Sequence, residues 1–141
     1  MRTPDVNVLL SARDSLSAHH EPARAWVEEH LSGRERVGFA TVALLGFIRI
    51  SSNARVVSAP LTASQALDQV DQWLAAPAAT LIHPTGTHLQ TLRRLLEKSG
   101  TAGNLTTDAH LAALAIEHNA TLASFDGDFH RFESLSFEYL G

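Results

Sequence analysis

The sequence predicts an α/β fold, a three-layer α/β/α sandwich built around a mainly parallel central sheet. Short apolar runs alternate with amphipathic helical patterns along the chain, and no repeat or linker interrupts the alternation. Strands separated by helices pair in parallel, because a crossover helix returns the chain to the same end of the sheet. A length of 141 residues and a hydrophobic content of 45% suffice for a substantial core. We therefore expect residues 1–141 to form a single domain.

The first half of the chain gives a distinct signal for each element. A short strand is predicted to end at Asp5, and Asn7 is a candidate cap for the helix that follows. Pro22 suits the early part of a second helix, because proline is tolerated before the intrahelical hydrogen bonds begin. The run "RVGFA" (36–40) predicts the second strand, and the apolar segment 41–51 predicts a buried helix.

The third quarter of the chain begins with a helix start signal. Thr62 and Gln65 have the spacing of a capping box, and an amphipathic helix follows them. The run "TLIHP" (80–84) predicts the third strand. Leucines at helical spacing then predict a helix that Gly100 closes. The leucines expected to face inward are Leu89, Leu92, Leu95 and Leu96.

The last quarter predicts one more helix and two strands. Segment 106–119 has the pattern of a helix, with Asp108 in its first turn. The apolar run 120–125 predicts the fourth strand, and 136–140 predicts a short fifth. Trp26 and Trp73 lie at core spacing in earlier helices and are expected to be buried.

Composition excludes several classes of function. The formal net charge of −4 argues against wrapping nucleic acid by overall electrostatics, although a local basic groove stays open. Cysteine is absent, so the chain has no disulfide, no thiolate metal site and no cysteine nucleophile. No apolar run approaches the roughly 20 residues of a membrane span. We expect a cytoplasmic protein without a membrane partner.

Three aspartates are predicted to meet at one edge of the sheet. Asp5 follows the first strand and Asp126 follows the fourth, so both lie beyond carboxyl ends of parallel strands. Asp108 starts a helix that leads into a strand, and such helices start at that same edge. Simpler interpretations exist for single residues: Asp108 suits a helix dipole, Asp5 beside Pro4 suits a cap, and Asp128 suits a turn or cap after Gly127.

Carboxylates crowded together repel one another, and a divalent cation removes that repulsion. Mg²⁺ and Mn²⁺ prefer oxygen ligands and retain water molecules, one of which can act as a nucleophile. A cluster of aspartates without cysteine or paired histidines therefore favours phosphodiester hydrolysis over zinc chemistry. The eight histidines are expected mainly at surfaces and helix ends.

Two stretches of the sequence resemble a known family. "PDVNVLL" near the start and "GNLTTDAHLAALAIEHNATLASFDGDF" near the end resemble a PIN domain, and specifically the VapC-type toxins of type II toxin–antitoxin systems. The resemblance covers essentially the whole chain. It implies a Mg²⁺- or Mn²⁺-dependent endoribonuclease that cleaves transfer or ribosomal RNA. It also implies a cognate VapB-type antitoxin and a homodimer.

The resemblance also assigns roles by motif position. Asp5, Asp108 and Asp126 match the acidic metal site, and Asp128 matches an accessory acid. The two remaining positions are Asn7, which matches a residue that orients Asp5, and Thr107, which matches a hydroxyl donor beside Asp108.

One position departs from the family pattern. Where the family often has a glutamate in the helix after the second strand, this chain has Leu44. We predict weaker metal binding, or a preference for Mn²⁺. A module that binds RNA or antitoxin without efficient cleavage is the alternative. A phosphohydrolase with an aspartate nucleophile is disfavoured, because the stretch Asp5–Val6–Asn7 lacks the second acid of a D-x-D motif.

Overall fold

The computed structural model describes residues 1–141 and contains one sheet of five strands. The strand order is β3-β2-β1-β4-β5, and every neighbouring pair is parallel. The predicted α/β class with a parallel sheet is thus confirmed. The strands are β1 (Arg2–Pro4), β2 (Val37–Ala40), β3 (Ala79–Ile82), β4 (Thr121–Ser124) and β5 (Phe137–Tyr139).

Helices lie on both faces of the sheet. The chain moves outward from β1 to β2 and β3, then crosses back to β4 and β5 on the other side of β1. Right-handed crossovers therefore place the first four helices on one face and the last two on the opposite face. The helices are α1 (Val6–Arg13), α2 (His20–Leu31), α3 (Thr41–Ser51), α4 (Ala63–Leu74), α5 (His88–Ser99) and α6 (Thr106–Glu117).

Several local features predicted from the sequence are present in the structure. The Gln65 amide N–H donates to Thr62 Oγ1 at 3.1 Å, and the Thr62 N–H donates to Gln65 Oε1 at 2.9 Å, which completes the capping box. Gly100 ends α5 with φ of 74°, in the left-handed region where glycine carries no steric penalty. Trp26 and Trp73 are both buried in the core.

Two local predictions are wrong. Asp5, not Asn7, caps α1, because the carboxylate of Asp5 accepts a hydrogen bond from the Val6 N–H at 2.7 Å. Leu89 is 75% exposed rather than inward-facing. The buried residues of α5 are His88, Thr91 and Leu95, so a polar pair takes part of the face that the leucine spacing had suggested.

Helix α6 determines how close the opposite layer comes to the sheet. Six of its residues are buried, and four of them are alanines, whose small side chains let helix and strands approach closely. This packing places the first turn of α6 beside the ends of β1 and β4. No helix of the chain is both long and apolar enough to cross a membrane.

Candidate active site

Strands β1 and β4 are neighbours, and the order in which strands are added to the sheet reverses between them. In parallel sheets, ligands bind outside the carboxyl ends of the strands at such a reversal. Asp5 directly follows β1, and its backbone N–H donates to the Ala123 carbonyl of β4 at 2.9 Å. Asp126 follows β4 after one intervening residue. The topology thus brings these two aspartates to the same point on the edge.

Asp5 is the most buried acid of the site, with only 8% of its surface exposed. Its Oδ1 accepts from the Val6 N–H at 2.7 Å, and its Oδ2 accepts from the Ser124 hydroxyl at 2.8 Å. Burial raises the pKa of Asp5, the two hydrogen bonds oppose that rise, and the nearby charge of Asp126 adds to it. Each oxygen of Asp5 retains a free lone pair.

Ser124 connects the acidic residues, and the sequence prediction did not include it. Its hydroxyl donates to Asp5 and accepts from the Asn7 side-chain amide at 2.9 Å and from the Asp126 N–H at 3.0 Å. The Asn7 carbonyl oxygen accepts from the Phe125 N–H at 3.2 Å. Asn7 therefore acts on Asp5 through Ser124. A serine that ends an apolar strand just before Asp126 was the available sequence signal.

Asp126 caps a short 3₁₀ helix, Gly127–Arg131, by accepting from the Asp128 N–H at 2.9 Å. The two acids in "SFDGDF" therefore form a turn and also lie at the acidic site. Asp126 is half-buried beside Asp5, whereas Asp128 is exposed at the rim. The cap fixes one oxygen of Asp126 and leaves the other without a hydrogen bond in the chain.

Asp108 lies in the first turn of α6 and completes the cluster. Its pKa is raised from 3.8 to about 6, first by burial and then by the charges of Asp5, Asp126 and Asp128. Arg131 opposes this rise. Four carboxyl groups from three separate parts of the chain thus share one electrostatic environment.

A cavity of about 570 Å³ opens beside these acids. Asp5, Thr107 and Asp108 line one side, and apolar residues of α3 line the other. Arg49 is also in its lining. Leu44 is not: it is 6% exposed and belongs to the hydrophobic core, whereas its neighbour Leu45 lines the cavity and is 60% exposed.

The donor set of the cluster fits a hard divalent cation. It offers carboxylate oxygens alone, and burial together with their mutual repulsion raises the pKa of Asp108. As the side chains stand, no group of three or more His, Asp or Glu residues is arranged to hold an ion. Binding an ion would therefore require side-chain rotation, and one oxygen of Asp126 accepts no hydrogen bond within the chain.

A second polar cluster lies between α5 and α6, and the sequence prediction missed it. His88 contacts Glu117 Oε2 through Nδ1 at 2.6 Å and His110 Nδ1 through Nε2 at 2.8 Å. The Thr85 hydroxyl donates to Glu117 Oε1 at 2.7 Å. Burial favours a higher pKa for Glu117, but the hydrogen bonds from Thr85 and His88 outweigh it and hold that pKa below its usual value. Burial lowers the pKa of His110, as does the nearby charge of His88.

We expect His88→Phe to lower the free energy of unfolding by about 1–3 kcal/mol, because it leaves Oε2 of Glu117 without its hydrogen-bond partner. The Glu117 side chain is only 2% exposed, so water cannot replace the lost contact. Urea unfolding at neutral pH measures the change, and His83→Phe at an exposed site is the control. Adding Glu117→Leu to His88→Phe should recover part of the loss. Equal stability of both single histidine variants would contradict this role.

The chain is similar to a known protein family and to characterised proteins. The family pattern named "PIN domain" matches residues 3–135. Ribonuclease VapC37 of Mycobacterium tuberculosis is 47% identical over 138 residues, which is 98% of this chain and 96% of that protein. Ribonuclease VapC33 of the same species is 42% identical over 135 residues, covering 96% of this chain and 94% of that protein.

Solved structures share the fold. VapBC2 from Rickettsia felis, bound to a promoter DNA fragment, superposes with a TM-score of 0.69 at 19% identity and covers 98% of this chain and 97% of that one. DNA-bound VapBC from Salmonella typhimurium superposes with a TM-score of 0.68 at 16% identity and covers 100% of both chains. At these identities the likeness concerns the fold.

Proposed function

The chain belongs to the PIN-domain family and is a VapC-type ribonuclease, and we propose that Asp5, Asp108 and Asp126 form its active site. The observation that carries this proposal is the shared environment of these acids at the point where the sheet order reverses. Crowded carboxylates that form no ion pair destabilise a fold, and this cost favours a functional role for them.

Each residue has a distinct task in this proposal. Asp5, held by Val6 and Ser124, would be the fixed ligand of a metal ion, and Asp108 and Asp126 would supply the other carboxylates. Asp128 at the rim is the accessory acid. The two supporting residues are Asn7, which fixes the Ser124 hydroxyl, and Thr107, whose exposed side chain lines the cavity beside Asp108.

The proposed cofactor is Mg²⁺ or Mn²⁺. When bound, such an ion neutralises charge on the scissile phosphate and makes a bound water more acidic. The carboxylates of the chain hold the ion, and the cavity beside them leaves space for a phosphate group. Because Leu44 supplies no further carboxylate, we propose Mn²⁺ as the better-bound ion.

Cleavage of RNA by the antitoxin-free protein tests the proposal. Total RNA incubated with Mg²⁺, with Mn²⁺ or with chelator should give discrete fragments only when metal is present. Asp126→Asn should abolish the fragments, while Asp68→Asn, an equal charge change on the exposed face of α4, should leave them unchanged. Metal-independent cleavage, or cleavage that survives Asp126→Asn, would overturn the assignment of the site.

Metal binding should depend on pH through Asp108. Below about 6 this carboxyl group holds a proton in the folded chain, and the proton competes with the ion. We expect Mn²⁺ to raise the unfolding temperature at pH 7.5, and the apparent Kd to rise about tenfold for each pH unit below 6. Thermal scans across Mn²⁺ concentrations at three pH values measure it. A shift of equal size at pH 5 would contradict the prediction.

The proposed partners follow from the relatives. A VapB-type antitoxin would bind the chain and block the acidic cavity, and transfer or ribosomal RNA would be the substrate. We further propose a homodimer in the cytoplasm, with residues 1–141 acting as one PIN-like domain. Light scattering of the antitoxin-free protein and co-purification with the antitoxin test these two assemblies separately.

A further inference from the structure

A second cavity, of about 780 Å³, lies between α5 and the segment that follows the 3₁₀ helix. Its floor includes the buried side chains Leu95 and Phe132. Its walls carry three cations and one carboxylate, although the whole chain has a net charge of −4. The charged residues are Arg94, Lys98, Arg131 and Glu133.

The four charged residues differ in how they are paired. Lys98 forms an ion pair with Glu133 that joins the two walls of the cavity. Arg94 and Arg131 are exposed and take part in none of the ion pairs within the chain. Their guanidinium groups therefore keep all of their donors free for an external anion, and a guanidinium matches phosphate geometry in a bidentate manner.

Arg131 connects this cavity to the acidic site. It ends the 3₁₀ helix that Asp126 begins, and it lies three residues after Asp128. At the rise of a 3₁₀ helix, three residues span roughly 6 Å along the axis. The positive charge of Arg131 reaches Asp108 and lowers the pKa of that carboxyl group. Arg131 thus acts on the acids and also lines the cavity that contains Arg94.

We propose that this cavity, named here the basic cleft, binds the phosphate backbone of the RNA strand next to the acidic site. The proposal rests on the ribonuclease site proposed above and adds a surface that the substrate contacts beyond the acids. Arg131 contacts a phosphate next to the acids, and Arg94 contacts one farther along the strand. Backbone contacts of this kind set affinity and register without selecting a base sequence.

Helix α5 provides a matched control. Arg93 is adjacent to Arg94 in sequence, but it points away from the basic cleft and pairs with Glu97 at 3.2 Å. Arg93→Gln and Arg94→Gln change the net charge equally on the same helix. A difference between these two variants therefore reports the location of the charge rather than its amount.

Binding is measured apart from cleavage by fluorescence anisotropy of a labelled single-stranded RNA in chelator. We expect Arg94→Gln and Arg131→Gln each to weaken binding about fivefold and to lower the salt slope by about 0.7, the value for one phosphate contact on a single strand. Arg93→Gln should stay within about twofold of the unmodified chain. In cleavage assays with metal, Arg94→Gln should raise KM and leave kcat unchanged, because the contact is the same in ground and transition states. Arg131→Gln should also raise KM.

The outcomes separate this proposal from the one it rests on. If Arg94→Gln and Arg131→Gln bind and cleave RNA like the unmodified chain, the basic cleft is not the substrate path, although the ribonuclease function stands. If Arg93→Gln and Arg94→Gln lose RNA affinity equally, the loss reflects net charge alone, and this result would also overturn the proposal. If the unmodified chain cleaves no RNA with either metal, the ribonuclease function itself fails.

Discussion

Asp108→Asn should reduce RNA cleavage by at least about 100-fold and at the same time make the metal-free protein more stable. The loss of activity follows from the loss of a proposed metal ligand. The gain in stability follows from the electrostatics of the site, where burial disfavours the charge of Asp108 and the neighbouring aspartates repel it. A residue that serves only the fold would not give opposite changes in activity and stability.

The size of the stability gain follows from the pKa of Asp108. A rise from 3.8 to about 6 corresponds to roughly 3 kcal/mol in full, and screening by water around this half-buried group reduces it to about 1 kcal/mol. For a chain of this length, 1 kcal/mol is about 3–5 °C in unfolding temperature. Scanning calorimetry without metal measures the gain, with Asp68→Asn as the control.

The pH dependence of stability gives the sign of the effect independently. Because Asp108 has a higher pKa in the folded chain than in the unfolded chain, the folded state binds more protons between pH 4 and 6. The contribution of Asp108 to stability is therefore complete below about pH 4 and is lost as the pH rises through 6. Asp108→Asn should remove this decline. A variant that is less stable than the unmodified chain at pH 7.5 would contradict the electrostatic account.

The sequence could predict the acids because their positions depend on topology alone. Asp5 and Asp126 follow strands, and Asp108 starts a helix, so a parallel sheet brings all three to one edge whatever the packing details. The roles of Ser124 and Asn7 depend instead on how β1 and β4 pair. That pairing joins residues more than a hundred positions apart, as in the contact between Ser124 and Asp5.

The sequence pattern also could not predict which residues of α5 face α6. The leucine spacing of α5 predicted Leu89 inside, but helical spacing leaves the exact orientation of the buried face open. His88 takes an inward position because Glu117 and His110 on α6 satisfy it. A buried histidine of this kind is recognisable only when its partners are known, because an unpaired polar group there carries a large cost.

Leu44→Glu, which restores the acid that many family members have, should lower the free energy of unfolding by about 3 kcal/mol or more without increasing cleavage. Leu44 is packed in the core beside the cavity rather than in its lining. Burial would raise the pKa of the introduced carboxyl group and oppose its use as a metal ligand. Urea unfolding and cleavage with Mn²⁺ measure the two effects, and Leu44→Met, a change of similar volume, should cost less than about 1.5 kcal/mol.

A glutamate at the neighbouring position 45 distinguishes the effect of where the carboxyl group lies from the effect of adding one. Leu45 lines the cavity with Asp5 and Asp108 and is largely exposed, so Leu45→Glu should fold normally and tighten Mn²⁺ binding. If Leu44→Glu were instead stable and cleaved faster than the unmodified chain, its side chain would reach the acids. Leucine at that position would then weaken catalysis directly, and a module that binds RNA with little cleavage would become the better description. A destabilised Leu44→Glu together with an active unmodified chain would mean that Leu44 serves packing, and that the acids at the ends of β1 and β4 and the start of α6 suffice.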